Sequence, residues 1–164
     1  MGSSQSSRPR SKTLRNLDPK QVSNLPLKGK LVKCRVTNVH DGDTITIIYI
    51  YGKTPLKVNI RLQGLDAPEL NSKNSLEKKA AENVRDWLKQ ELDKQKIWYW
   101  TPIKHDKYGG RVIGTVQSTK KSKTVNQVLI DRGMVVEYNG TKKEEWTQKK
   151  LKSIIAQCSK KSNI

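Results

Sequence analysis

The chain has 164 residues and carries 33 Lys and Arg against 15 Asp and Glu, a net charge of +18, with 34% hydrophobic residues and no Phe. That length fits one domain with a single modest core, built of Val, Ile, Leu and a few Trp. Such a charge excess repels itself unless a polyanion offsets it, which points to nucleic acid or an anionic membrane as partner.

Residues 1–25 are rich in Ser, Arg and Lys, and their apolar residues have no period, so they read as a disordered basic arm. Met1-Gly2-Ser3-Ser4-Gln5-Ser6 fits the pattern for myristoylation of Gly2, and Arg8, Arg10, Lys12 and Arg15 follow it. One acyl chain with a basic patch can hold an anionic membrane surface, where the chain alone binds marginally. No apolar stretch of signal-peptide type is present, and the run from Ile45 to Tyr51 is far too short to span a bilayer. Cys34 and Cys158 make neither a CxxC pair nor a disulfide framework. The expectation is an intracellular protein in a reducing compartment, acting as a monomer, with membrane association through the acylated arm.

Residues 26–158 are the expected folded domain, and 159–164 a basic tail. Leu31–Val39 alternates as a half-buried strand, and Thr44–Tyr51 is a β-branched and aromatic second strand. Gly52-Lys53-Thr54-Pro55 is a turn, and Leu56–Gly64 a third strand with Val58, Ile60 and Leu62 on one face and Arg61 on the other. Asn74–Gln95 has helical period through Leu76, Ala80, Val84, Leu88 and Leu92, with Asn74 and Glu77 as a capping box. Lys96–Ile103 and Arg111–Gln117 are two more strands, and Thr124–Arg132 is a short helix closed by Gly133. Thr141-Lys142-Lys143-Glu144 reads as the capping box of a last helix. Five short strands without a long parallel crossover predict an α+β fold, mainly β: a five-stranded oligonucleotide-binding (OB-fold) barrel flanked by three helices.

Acidic residues are scarce, yet Asp41-Gly42-Asp43-Thr44 and Asp66-Ala67-Pro68-Glu69 lie close together around Arg61. Hydrolysis of a phosphodiester needs a cation to neutralise charge, a base to orient a water, and donors fitted to the transition state. Asp43 and Asp66 could converge on one hard cation, with the main-chain oxygen of Ala67 placed to join them. Calcium and magnesium both accept so few protein ligands. Glu69, beyond a stiffening Pro, is a candidate base, and Arg61 and Arg111 offer planar forks that match a phosphate. His40 and His105 have no partner at metal spacing and read as surface or turn residues.

In content, order and spacing these pieces resemble the staphylococcal nuclease (thermonuclease) family. Its Asp-Gly-Asp-Thr knot is matched by Asp41–Thr44, and its Arg-x4-Asp-x-Pro-Glu by Arg61, Asp66, Pro68 and Glu69. Its Asp-Lys-Tyr-Gly before Arg is matched by Asp106–Gly109 with Arg111, where Gly110 intervenes, and its Val-Asn-x-x-Leu by Val125–Leu129 before Gly133. Over residues 30–157 the resemblance implies calcium-dependent cleavage of DNA and RNA to 3′-phosphate products. It implies catalytic roles for Arg61, Glu69 and Arg111, and calcium binding by Asp43, Asp66 and the Ala67 carbonyl with Asp41 behind them. Lys107 and Tyr108 would touch a terminal phosphate of the substrate, and Tyr138 would stack near a base. The rival readings are a non-catalytic nucleic-acid-binding barrel and a membrane-anchored basic protein.

Overall fold

The structure is a computed structural model and describes residue 25 and residues 27–107, 109–141 and 143–159. The proposed arm up to residue 24, with Gly2, lies outside the described residues, as do Tyr108 and the tail from residue 160.

Five strands close into a barrel: β1 (Val32–Val39), β2 (Thr44–Tyr51), β3 (Thr54–Leu62), β5 (Trp98–His105) and β6 (Arg111–Gln117). The order around the barrel is β1-β2-β3-β6-β5, antiparallel throughout except that β3 and β6 run parallel. This mixed, mainly β barrel with helices packed around it is the expected OB-type architecture. β3 starts at Thr54, earlier than expected, because Gly52 takes a φ of +62° and Gly52-Lys53 alone make the turn, which lets Tyr51 pair with Thr54. Period-2 alternation places Ile45, Ile47, Ile60, Leu62, Trp100 and Val116 inside the barrel, all essentially without solvent contact. A second sheet, missing from the sequence reading, pairs β4 (Leu65–Asp66) with β7 (Val136–Glu137). Two-residue strands have no period to read.

α1 (Ser75–Asp93) buries Ala80, Ala81, Val84, Trp87, Leu88 and Leu92. Asn74 caps it by accepting from the N–H groups of Leu76 and Glu77. The capping box is not reciprocal: Glu77 accepts from Ser72 Oγ at 2.6 Å, and Ser72 Oγ accepts the Asn74 N–H at 3.2 Å. α2 (Val125–Asp131) is capped by Thr124 and closed by Gly133 at a φ of +63°. α3 (Gln148–Cys158) packs on α1 through Leu151 and Ile154. Its cap is Thr147, which accepts from Lys150 N–H, so the expected start at Thr141 is corrected. The side chain of Lys143 is engaged elsewhere, and residues 143–147 stay outside the helix. Both cysteines are free thiols, and burial pushes Cys34 up to about 12 and Cys158 to about 11. Among the described residues no helix is long and apolar enough to cross a membrane.

Buried Asn126 fastens α2 to the barrel. Its Nδ2 donates to Gln63 O at 3.0 Å and Gly114 O at 3.2 Å, and its Oδ1 accepts the Val116 N–H at 3.2 Å. Gly114 has no room for a side chain, since a Cβ would lie 2.7 Å from Thr101 O. Asn126→Ala strips the three backbone groups of this partner at once. The expected loss is about 2–4 kcal/mol of stability, read as a lowered urea midpoint at unchanged slope.

Candidate active site

The first acidic knot is built by its own backbone. Asp41 Oδ1 accepts the Asp43 N–H at 2.9 Å, and the Asp43 carbonyl accepts the Leu62 N–H at 2.7 Å. Asp43 is thereby fixed between the start of β2 and the end of β3. Gly42 has a role beyond turning the chain: a Cβ there would sit 2.7 Å from Ala67 Cβ and 2.8 Å from Val84 Cγ1. Its missing side chain lets the two acidic knots press together against α1.

The two knots then meet across one guanidinium. Arg61, opposite Thr44 in the β2–β3 ladder, forms an ion pair from Nη1 to Asp43 Oδ1 and another from Nη2 to Asp66 Oδ1, the latter at 3.0 Å. Thr44 Oγ1 donates to Asp43 Oδ1 at 2.9 Å, and the Ala67 N–H reaches Asp43 Oδ2 at 3.3 Å. Asp43 is 3% exposed and Asp66 0%. Burial pushes the Asp43 carboxyl up to about 7; Arg61 opposes the rise, and the neighbouring charge of Asp41 adds to it. One oxygen of the pair, Asp66 Oδ2, is buried without a hydrogen-bond partner.

Lys143 is a member that the sequence reading missed. Its Nζ lies 2.9 Å from both Asp66 Oδ1 and Glu69 Oε1, so it ties a fully buried carboxylate to an exposed one. Burial draws the Lys143 pKa down, but the bonds to Glu69 and Asp66 and their charges outweigh it, and the net shift is upward. The Glu69 main chain is held separately, since its N–H donates to Glu77 Oε1 at 3.1 Å. Glu77, on the first turn of α1, therefore braces the 69–72 segment as well as the helix start.

Arg111 begins β6, and the parallel register sets it beside Asn59, on the same face as Arg61 and two residues behind it. Gly109 and Gly110 both take positive φ (73° and 66°), a loose turn that accommodates the intervening glycine. Asp106 Oδ2 lies 2.9 Å from Arg111 Nε and 2.7 Å from Nη2, which leaves the remaining donors of the fork. Arg61, Glu69, Lys107, Arg111, Tyr138 and Lys143 all line one cavity of about 750 Å3. Tyr138 is set there by its N–H, which donates to Gly64 O at 2.9 Å, and its hydroxyl donates to Thr141 O at 3.2 Å. Of the sequence candidates, Asp43, Asp66, Ala67 and Asp41 come together around Arg61, which lines this cavity. His40 hydrogen-bonds Thr46 Oγ1 at 2.6 Å, outside the acidic cluster.

The residues present suit a hard cation. Two buried carboxylates share one guanidinium, one oxygen is unpartnered, and their charge is offset by Arg61 and Lys143. Among the described residues no three His, Cys, Asp or Glu side chains gather as a ready metal cluster, so main-chain oxygen, substrate or water would complete the coordination.

A closed five-stranded barrel with an acid–arginine cluster at one end of its β2–β3 pair defines an OB-type domain. The family model for the staphylococcal nuclease homologues matches residues 59–163, and the chain belongs to that family. The match takes in Arg61, Asp66, Glu69 and Arg111 but begins after the first acidic knot, which the structure joins to it through the Asp43–Arg61 pair. No curated protein matches the chain.

Asp43 makes stability depend on pH. Its native pKa of about 7 lies above its ordinary 3.8, so the folded chain binds more protons than the unfolded chain between those values. The contribution of this group is therefore full at low pH and is lost as pH rises through 7. Asp43→Asn, which imitates the protonated form, is expected to melt above the parent at pH ~8 in chelator, with the gap closing toward pH ~4. Calorimetry across that range checks the sign.

Proposed function

We propose that the chain is a calcium-dependent nuclease that hydrolyses phosphodiester bonds of DNA and RNA and leaves 3′-phosphate ends. The observation that supports this most is the convergence of Arg61, Glu69 and Arg111 on one cavity above the buried Asp43–Asp66 pair. Asp43, Asp66 and the Ala67 carbonyl would hold the cation, with Asp41 supporting Asp43 through its backbone. Calcium bound there would neutralise charge on the scissile phosphate; magnesium fits the same oxygen ligands less flexibly.

Glu69 takes the proton of the attacking water, for which its exposed carboxylate at the cavity wall is suited. Arg61 and Arg111 offer their remaining N–H donors from one barrel face to the phosphoryl oxygens, where negative charge grows as the water oxygen bonds to phosphorus. The P–O5′ bond then breaks, and the proton of the 5′-hydroxyl comes from solvent. Lys107 and Tyr138 line the cavity; Lys107 and Tyr108 are the proposed contacts to a terminal phosphate, and Tyr138 to a base. Residues 26–158 are the proposed catalytic unit, working as a monomer, and Gly2 the proposed acyl acceptor of an arm that meets anionic membrane.

Plasmid and RNA digestion tests this. Activity with calcium should vanish in chelator, and activity indifferent to chelation would remove the cation from the account. Glu69→Gln should lower kcat by about 10²–10⁴-fold with little change in substrate binding; an unchanged rate would move the base elsewhere.

Lys143 competes with a cation for the Asp66 carboxylate. Lys143→Met should therefore lower the melting temperature in chelator and enlarge the rise produced by calcium. Equal calcium shifts in variant and parent would show that Lys143 does not guard the site.

A further inference from the structure

Four of the large hydrophobic residues that the fold leaves exposed sit at one end of the barrel: Leu31 (38%), Ile50 (57%), Tyr51 (45%) and Leu56 (37%). β1 runs antiparallel to β2, so its entry at Leu31 lies where β2 finishes. The ladder of β2 with β1 stops at Tyr49, and that of β3 with β6 begins only at Asn59. The ribbon from Ile50 to Lys57 therefore stands clear of the barrel, and all eight residues are exposed. Strand alternation does not account for its composition. Tyr51 and Leu56 continue the inward face of Tyr49 and Val58, whereas Ile50 and Pro55 occupy the outward face, where polar residues belong. Both faces of the tip are apolar.

Around it lie Lys28, Lys30, Lys33, Lys53 and Lys57, all exposed. The tip is seven ladder positions from the Thr44–Arg61 pair, about 24 Å along the strands. It has no share in the cavity.

We propose that this ribbon tip is a lipid-docking element, entering the headgroup layer of an anionic bilayer with Ile50, Tyr51 and Leu56 while its lysines meet lipid phosphates. An apolar point collared by lysines matches that boundary on both counts: aliphatic groups go below the headgroups, Tyr sits at their level, and lysines snorkel to the charge. A second copy of this chain would bring lysine collar against lysine collar. Duplex phosphates would pair the lysines but leave Ile50 and Leu56 without a partner. The described chain enters β1 at this same end. The inference stands apart from the nuclease reading.

The test is co-sedimentation of the full, unacylated chain with phosphatidylcholine vesicles, with and without phosphatidylserine, at low and high salt. The parent should bind the phosphatidylserine vesicles. Ile50→Ser, Tyr51→Ser and Leu56→Ser combined should weaken that partition by about tenfold or more, most visibly at high salt, where the charge of the arm is screened. Plasmid cleavage by the same variant should be unchanged, so a failed tip and a failed nuclease give different results. In case the triple variant folds poorly, a second measurement uses Ile50→Cys in a Cys158→Ser background, labelled with an environment-sensitive fluorophore. A blue shift on the anionic vesicles is expected. The proposal is overturned by unchanged partition of the triple variant, by a parent that stays in the supernatant, or by a probe that reports no change. It is equally overturned if the triple substitution leaves vesicle binding intact but weakens duplex DNA binding, or dissolves a dimer seen by sedimentation equilibrium; those outcomes assign the tip to nucleic acid or to a second copy.

Discussion

The structure depends on how two carboxylates are kept together in a place with almost no water. Asp43 and Asp66 repel one another and have lost most of their hydration, a combination that costs several kcal/mol per ion when unrelieved. Arg61 relieves it by giving one arm of its fork to each, and Lys143 adds a second positive charge to Asp66. The relief is incomplete. Asp43 still favours its proton near neutrality, and one oxygen of Asp66 has no partner. Perturbed, incompletely paired carboxylates of this kind gather at functional sites more than in structural ion pairs.

The scaffold serves that cluster by close approach. Gly42 brings the first knot against Ala67 and Val84, so α1 forms the floor on which both acidic segments rest. Asn126 holds Gln63 and Gly114, the residues just beyond Leu62 and opposite it, and so steadies the end of β3 from which Arg61 projects. Glu77 does the same for the segment that carries Glu69. These supports are uncharged or locally paired.

Much of this was legible in the residues. Alternation in β1 and β3, the β-branched run of β2 and the four-residue stripe of α1 gave the barrel and its main helix, because burial on one face imposes a period. The acidic knots and the two arginines stood out against a basic background. Lys143 did not, because one lysine in a chain with 33 basic residues has no local mark and meets Asp66 only through tertiary folding. The start of α3 was misplaced because Thr141 and Thr147 both precede helix-forming sequence, and only the engagement of Lys143 with the acidic pair decides between them. β4 and β7 were invisible for want of length. The protruding ribbon tip was hidden for a different reason: apolar residues in a strand look like core until the neighbouring ladders are seen to stop short of them.

The parallel pairing of β3 with β6 has a consequence for the life of the chain. Arg61 and Arg111 belong to segments separated by a long helix and a further strand, and they become neighbours only when the last seam of the barrel shuts. Such distant pairing comes late in folding, since the intervening loop must first be closed. A newly made or heat-loosened molecule thus keeps its positive charge but does not yet hold the two arginines side by side. The seam ties the meeting of the two guanidinium groups to completed assembly.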